Sequence, residues 1–325
     1  MRDNNFIIEN NAKHLWHPMG APGDSINNPP KVITNADGSQ ISDMDGHTTV
    51  DAVGGLWCVN LGYSNEEVKD AISEQLNHLP YYSGFAGTTN PAAIEASYMV
   101  KEMFKADGME KVFFTSGGSD SVETCLRLSR QYHRLRGEPT RTKFISLKKG
   151  YHGTHFGGAS VNGNNRFRIA YEPLLPGCFH LPSPYTYRNP FNETDPQKLA
   201  LNIAQTFEDE IAFQDKNTIA AFIMEPIQGA GGVIVPDPSF MGLMQEICER
   251  NGILMISDEV ITGFGRTGSW SGARHWNVKP DMMSMAKGIT SGYFPVGAAL
   301  MGEKVADVFE NSNSPEAGIF HGYTY

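Results

Sequence analysis

The sequence predicts an α/β protein built on a mostly parallel sheet with helices on both faces. From about residue 90 onward, apolar strands and amphipathic helices alternate along the chain, as in folds with a parallel sheet. The strands are continuous apolar runs, which is typical of strands buried on both faces. The length of 325 residues, with 40% apolar and 19% charged residues, is that of a folded globular chain.

The elements follow an irregular stretch of about 65 residues. Within it, two short strands at 31–34 and 40–44 flank Asp37-Gly38, a dipeptide that favours a hairpin turn. A helix is expected from Ser64, which would cap it, with Glu67 three residues later as in a capping box. The later predictions are strands at 111–115, 143–147, 219–224, 253–257 and 281–286, and helices at 92–104, 120–135, 196–213 and 239–250.

Composition argues against several classes of partner. The chain has 26 Lys+Arg and 36 Asp+Glu, a net charge of −10, and no basic block, so we expect no nucleic acid partner. No run approaches the roughly 18 apolar residues of a membrane span, and no secretory apolar core follows the N-terminus. The four cysteines are far apart with no CxxC pair, which indicates a reduced, cytoplasmic protein without disulfides or a metal site.

Ligands of such sheets bind at the carboxyl ends of the strands, so the residues after each strand are the candidates. Gly117, Gly118 and Ser119 open a helix after the 111–115 strand, where backbone N–H groups and a hydroxyl suit a phosphate. The same residues could form an ordinary turn, and they match neither the P-loop nor GxGxxG. Tyr151 and His152 follow the 143–147 strand, where they could stack on a flat ligand or simply pack in a loop.

Three charged residues follow the remaining strands. Glu225 ends the 219–224 strand, where a buried carboxylate needs a partner. Asp258 could hold a cationic nitrogen or act as a loop cap. Lys287 could be a nucleophile toward an aldehyde or an exposed surface amine. Together the strand ends offer partners for a phosphate, a flat ring, a pyridinium nitrogen and an aldehyde, which is the set that pyridoxal 5′-phosphate (PLP) requires.

Seven motifs occur in a recognisable order. With them, from about His14 to Tyr325, the chain resembles the class III PLP-dependent aminotransferases of fold type I, in particular the ω-amino acid or amine:pyruvate branch. The motifs are DMDG at 43–46, GLW at 55–57, SGGSDSVE at 116–123, YHG at 151–153, EPIQG at 225–229, DEVITGFGRTG at 258–268 and AKG at 286–288.

The resemblance implies roles for the residues that bind the cofactor. Lys287 would form the internal aldimine with PLP and move the proton during transfer, while Asp258 would pair with the pyridine nitrogen. Gly118 and Ser119 would hold the phosphate, with Gly117 adjacent to them. The remaining cofactor contacts implied are Tyr151 and His152 on one side of the ring, Val260 on the other, and Glu225 near the 3-hydroxyl.

The resemblance also implies a homodimer with shared active sites. Thr324 would reach the phosphate in the partner subunit. The substrate pocket would be lined by Trp57, Tyr151 and the partner subunit's Phe85, with Met19 at its mouth. Residues 1–65 would form the N-terminal part of a small domain and residues 66–325 the large PLP-binding domain. The C-terminal part of the small domain, which in the family carries a mobile arginine, is absent from this sequence.

The activity implied is transfer of an amino group from an ω-amino acid or primary amine to a keto acid, with pyruvate as the expected acceptor, by a ping-pong mechanism. Other members of the family stay open: diaminopelargonate, 4-aminobutyrate, taurine and putrescine aminotransferases, and aminomutases. A truncated, non-catalytic chain is a second hypothesis, motivated by the abrupt end at Tyr325. A NAD-dependent α/β enzyme is a third, and it is disfavoured because no GxGxxG follows a strand.

Overall fold

The computed structural model describes residues 3–85 and 87–322. Contacts within the chain divide it into two compact units, Met1–Gln75 and Leu76–Tyr325. The boundary falls inside a helix, ten residues beyond the predicted start of the large domain at residue 66. The assignment of the two parts to a small and a large domain stays a prediction.

The first unit contains short helices and a three-stranded antiparallel sheet. Strands β1 and β2 form the predicted hairpin, with Asp37 paired to Gln40 across Gly38 and Ser39. Gly38 has φ 55°, a left-handed conformation that glycine adopts without strain. The elements are α1 (Asn4–Asn10), α2 (Pro22–Asn27), β1 (Ile33–Asp37), β2 (Gln40–Asp43), β3 (Thr48–Val50), α3 (Gly54–Trp57) and α4 (Glu66–His78).

The predicted cap of α4 is wrong by one residue. Asn65 caps the helix, because its Oδ1 accepts a hydrogen bond from the Val68 N–H at 3.0 Å. The Ser64 hydroxyl instead accepts from the Gly38 N–H at 2.8 Å. The hairpin turn therefore uses the oxygen that the capping box would have needed.

The second unit is built on a seven-stranded sheet in the order β4-β10-β9-β8-β7-β5-β6. The run from β9 to β6 is parallel throughout, and β10 is antiparallel to both of its neighbours. The mostly parallel sheet is thus confirmed. Its strands are β4 (Met109–Thr115), β5 (Lys143–Leu147), β6 (Cys178–Leu181), β7 (Ile219–Met224), β8 (Leu254–Asp258), β9 (Met282–Met285) and β10 (Gly297–Gly302).

Helices cover both faces of this sheet, as predicted. In β7, Phe222 and Met224 pack in the apolar cluster that contains α8 and α9, whereas Ala221 and Ile223 pack in the cluster that contains α6 and α11. Because successive side chains of a strand point to opposite faces, both faces are apolar. The helices are α5 (Pro91–Met103), α6 (Gly118–Leu135), α7 (Phe156–Val161), α8 (Pro196–Gln214), α9 (Phe240–Asn251), α10 (Gly272–His275) and α11 (Glu303–Glu310).

Two strands of the sheet, β6 and β10, lie outside the predicted set. The sequence of β10 is Gly-Ala-Ala-Leu-Met-Gly, and glycine and alanine are depleted in strands. All six residues are nevertheless buried, because β10 lies between β4 and β9. Among the described residues, no helix has both the length and the apolar character that crossing a membrane requires.

Candidate active site

The predicted candidates after β5, β7 and β8 meet at the carboxyl edge of the sheet. The Nδ1 atom of His152 lies 2.8 Å from Oδ2 of Asp258, which joins the loop after β5 to the end of β8. The Tyr151 N–H donates to Oε1 of Glu225 at 3.0 Å, which joins the same loop to the end of β7. Three strand ends therefore form one connected polar cluster.

The first turn of α6 packs tightly against the loops after β8 and β9. A Cβ atom on Gly118 would lie 3.0 Å from Cγ1 of Val260 and 3.5 Å from Cβ of Ala286, the residue before Lys287. Glycine at this position therefore allows the close approach. Gly117 has an extended backbone with φ 167°, so nothing in its conformation requires glycine. The first N–H groups of a helix have no partner within it, so this turn can donate to an anion.

Ser119 joins α6 to the loop after β5. Its Oγ accepts a hydrogen bond from the Thr154 N–H at 3.1 Å. At Gly153, which has φ 99°, a Cβ atom would lie 2.7 Å from Cα of Ser119. The hydroxyl of Ser119 keeps its own proton to donate, because it is the acceptor in this bond.

Asp258 is a buried carboxylate with three donors. It is 3% exposed, and Oδ1 accepts from the Ser284 hydroxyl at 3.0 Å and from the Val260 N–H at 3.2 Å, while Oδ2 faces His152. These three hydrogen bonds satisfy part of the bonding capacity of the buried carboxylate. Each carboxylate oxygen offers about two lone pairs, so Oδ2 can also accept from a cationic nitrogen.

The surroundings of His152 indicate which ring nitrogen carries the proton. The ring is 1% exposed, and Nε2 is buried without a hydrogen-bond partner among the described residues. A proton on Nδ1 is donated to Asp258, whereas a proton on Nε2 would have no acceptor. The geometry therefore places a proton on Nδ1, where Asp258 accepts it.

Glu225 is buried and carries a perturbed pKa. Burial raises the pKa of its carboxyl to about 7, and the negative charge of Asp258 acts in the same direction. The charge of His152 and the backbone N–H donors of Tyr151 and Gly229 oppose the rise. Burial and the Asp258 charge also raise the pKa of the Tyr151 phenol. The Tyr151 ring lies 4.6 Å from the ring of Phe167, measured between centroids.

The raised pKa of Glu225 predicts a pH dependence of stability. The folded protein binds a proton at Glu225 between the usual pKa of 4.5 and about 7, whereas the unfolded chain has released it. The free energy of unfolding should therefore fall by up to about 3 kcal/mol as the pH rises through this interval. Glu225→Gln cannot ionise, so its denaturant midpoint should fall less steeply with pH. Equal slopes for the wild type and the variant would contradict this prediction.

Lys287 follows β9 in an unusual backbone conformation. It is half-buried, opens the 3₁₀ turn Lys287–Ile289, and has φ 53°. A left-handed conformation costs a non-glycine residue roughly 1 kcal/mol, so it persists only where the surroundings hold it. Lys287 lies three residues after Ser284, which is paired in register with Asp258 across β8 and β9.

The residues predicted for the substrate pocket are distributed over both units. Met19 and Trp57 belong to the first unit, where Met19 is exposed and Trp57 half-buried. Phe85 belongs to the second unit and is exposed. A Cβ atom on Gly322 would lie 3.4 Å from Cζ of Phe85, so these two residues are neighbours. Thr324 itself lies outside the described residues.

Three residues of this site were not predicted from the sequence: Ser284, Thr154 and Phe167. Ser284 carried a usable signal, because it is the one polar residue in the otherwise apolar strand β9. Thr154 and Phe167 lie in the segment after β5 and resemble ordinary loop residues. Their places depend on how that segment folds back onto α6 and Tyr151.

Comparison with protein families decides the membership of the chain. The model of the family "Aminotransferase class-III" matches residues 23–325. The chain belongs to the class III aminotransferases. This confirms the resemblance drawn from the seven motifs.

Known members resemble this class III aminotransferase over most of its length. A putrescine–pyruvate aminotransferase of Pseudomonas aeruginosa is 38% identical over 295 residues, which are 91% of this chain and 63% of that protein. An omega-aminotransferase of Caulobacter vibrioides is 35% identical, over 97% of this chain and 71% of that protein. The chain thus spans about two thirds of the length of these relatives.

A solved structure confirms the fold class. An amine transaminase from an uncultivated Pseudomonas species, solved in its PLP-bound form, superposes with a TM-score of 0.94 and 47% identity. The match covers 96% of this class III aminotransferase chain and 70% of the other chain.

Proposed function

We propose that this chain transfers an amino group from a primary amine or ω-amino acid to a keto acid, with pyruvate as the acceptor. The single observation that carries the proposal is the buried Asp258 carboxylate, which is paired in register with Ser284, three residues before Lys287. This arrangement places an acid for a ring nitrogen beside the strand that leads to a candidate amine. The names of the relatives, putrescine–pyruvate aminotransferase and omega-aminotransferase, support the substrate class.

We propose PLP as the cofactor, because the residues present fit each of its parts. The first turn of α6, which has no side chain at Gly118, offers backbone N–H groups to the phosphate. Tyr151 and Val260 provide the two faces for the ring, and Asp258 provides a carboxylate for its nitrogen. Lys287 provides the amine for the aldehyde. The PLP-bound form of the similar amine transaminase supports the same assignment.

When bound, PLP supplies an electron-accepting ring and an aldehyde that carries the amino group between donor and acceptor. Asp258 would hold a proton at the ring nitrogen, because three donors fix the position of its buried carboxylate. His152 orients Asp258 through the hydrogen bond from its Nδ1–H. Nζ of Lys287 would take the proton from the donor carbon and deliver it to the aldehyde carbon of the cofactor, and would move a proton in the opposite direction when the keto acid accepts the amino group.

A donor and acceptor panel tests the activity. The purified chain is incubated with PLP and a diamine, 4-aminobutyrate, β-alanine or a simple primary amine, each against pyruvate and 2-oxoglutarate. Formation of alanine from pyruvate is the expected result. An isomerised amine without consumption of keto acid would indicate an aminomutase. Binding of PLP without any transfer would support the non-catalytic hypothesis, and the lack of a visible absorption band with PLP would overturn the cofactor assignment.

We propose a homodimer with shared active sites. Phe85 and Gly322 are neighbours in one subunit, and the resemblance assigns Phe85 and Thr324 to the partner's site. Exposed apolar side chains on α5, among them Ile94, Tyr98 and Met99, offer a surface for the second copy.

Sedimentation and a mixing experiment test this arrangement. A sedimenting species of twice the chain mass is expected. Phe85→Asp and Lys287→Ala should each be impaired alone. Equal mixing should restore up to about a quarter of the sites, because half of the dimers become hybrids with one intact site. Activity that stays at the level of the single variants would overturn the sharing of sites.

The four thiols support a cytoplasmic location, which we propose on that ground alone. Cys125 and Cys248 are buried, Cys58 and Cys178 are half-buried, and all four are free. Free thiols persist in reducing compartments. Fractionation of the host cell, with the chain recovered in the cytoplasm, is the expected result, and recovery from the periplasm or an organelle would overturn it.

A further inference from the structure

Ser284 is a polar side chain in the middle of the apolar sheet. It lies in β9 between methionines and is 0% exposed. A hydroxyl at such a position costs free energy unless it is hydrogen-bonded. Its Oγ donates to Oδ1 of Asp258 at 3.0 Å, so its partner is the acid that the proposed function places at the ring nitrogen.

The backbone of Ser284 also binds the end of β8, in addition to the side-chain bond to Asp258. Asp258 and Ser284 are register partners across the parallel pair β8 and β9. The Glu259 N–H donates to the Ser284 carbonyl oxygen at 2.9 Å. The side chain and the main chain of one residue therefore bind two successive residues at the end of β8. Lys287 follows three positions later on the same segment.

The three donors to Asp258 do not constrain it equally. His152 binds Oδ2, whereas Ser284 and the Val260 N–H share Oδ1. Without the Ser284 hydroxyl, Oδ1 would keep only the bond to Val260, which at 3.2 Å is the longest of the three. A carboxylate that keeps only this long bond on Oδ1 is held less firmly about its Cβ–Cγ bond, because that terminal torsion is broad.

We propose that Ser284 is a positioning residue that fixes the rotation of the Asp258 carboxylate. It acts through Asp258, so that Oδ2 faces the position of the ring nitrogen. The proposal rests on the proposed function, which supplies the role of Asp258. It adds a residue whose loss should change the chemistry more than the stability.

The experiment compares Ser284→Ala, Ser284→Thr and a matched control, Ser257→Ala. Ser257 is equally buried, lies in β8, and donates to Oε1 of Glu259 at 2.9 Å instead of to Asp258. Three quantities are measured in each chain: the Asp258 carboxylate orientation in crystal structures without cofactor, the pH profile of the visible band with PLP, and kcat and KM for the donor. The thermal midpoint reports any general loss of stability.

We expect Ser284→Ala to lose the single orientation of Asp258, to shift the pH profile of the band, and to lower kcat about tenfold with little change in KM. Ser284→Thr keeps the hydroxyl and should restore all three. Ser257→Ala should change the thermal midpoint alone. If Ser284→Ala keeps the Asp258 orientation, the proposal is overturned, whatever the cofactor does. If the orientation is lost but the wild type binds no PLP, the proposed function fails while the positioning of Asp258 by Ser284 stands.

Discussion

Lys287→Ala should lower the rate of amino transfer by about 10⁴-fold or more, because the chain then has no amine at the end of β9 to bond to the cofactor aldehyde and move the proton. The half-buried position and the left-handed backbone of Lys287 support this role. The visible band that depends on a lysine-linked cofactor should disappear. Single-turnover kinetics with the donor amine and absorption spectra provide the measurements.

An exposed lysine provides the control for this variant. Lys279→Ala removes an amine from an exposed position on the loop before β9 and should keep the rate and the band. Added methylamine should restore part of the rate of Lys287→Ala, since a small free amine can replace the missing proton carrier. A wild-type band in Lys287→Ala would show that another residue holds the cofactor.

Asp258→Asn should lower the rate by about 10²- to 10⁴-fold. A neutral amide cannot hold a protonated ring nitrogen as an ionised carboxylate does. Its NH₂ group would also meet donors, because His152 and Ser284 both point protons at the carboxylate. Steady-state kinetics and the pH profile of the visible band measure the effect, and Asp258→Glu should lose less because the charge is kept.

Glu259→Gln is the matched control for Asp258→Asn. Glu259 is the next residue, is completely buried, and accepts from the Gly272 and Ala273 N–H groups at 2.7 and 2.8 Å. Burial raises the pKa of its carboxyl, and its side-chain oxygens bind α10, Ser257 and Thr262 and not the polar cluster. Its amide variant should lower the thermal midpoint and leave the band in place. A rate loss in Glu259→Gln equal to that in Asp258→Asn would refute a specific role for Asp258.

The central part of the fold and site could be predicted because two rules apply to it. Buried parallel strands are continuous apolar runs, and ligands bind at their carboxyl ends. By these rules the sequence places Tyr151, Glu225 and Asp258 at the same edge of the sheet, where the structure brings them into one cluster. The role of Lys287 follows from residue chemistry together with the resemblance. A lysine after a strand can by itself be either a nucleophile or an exposed surface amine.

The missed features depend on contacts that one segment does not encode. The role of Ser284 follows from the register of β9 on β8. The sequence of neither strand alone determines that register. The Ser64 cap failed because a hairpin 26 residues earlier uses the same hydroxyl. Strand β10 was missed because neighbouring strands and not its own propensity keep it extended.

The reversed direction of β10 affects how the site could diverge among related enzymes. Because β10 begins at the edge where β9 ends, residues 287–296 turn back without crossing the sheet and remain at the catalytic edge. Insertions in that turn would alter the rim of the site and leave the strand order intact. Gly297, the first residue of β10, cannot be replaced by a larger residue without a shift of the backbone. A Cβ atom there would lie 2.6 Å from the Gly117 carbonyl oxygen. The fold thus combines a turn that can change in length with a tightly packed base at Gly297, so we expect changes in substrate range to arise in the turn.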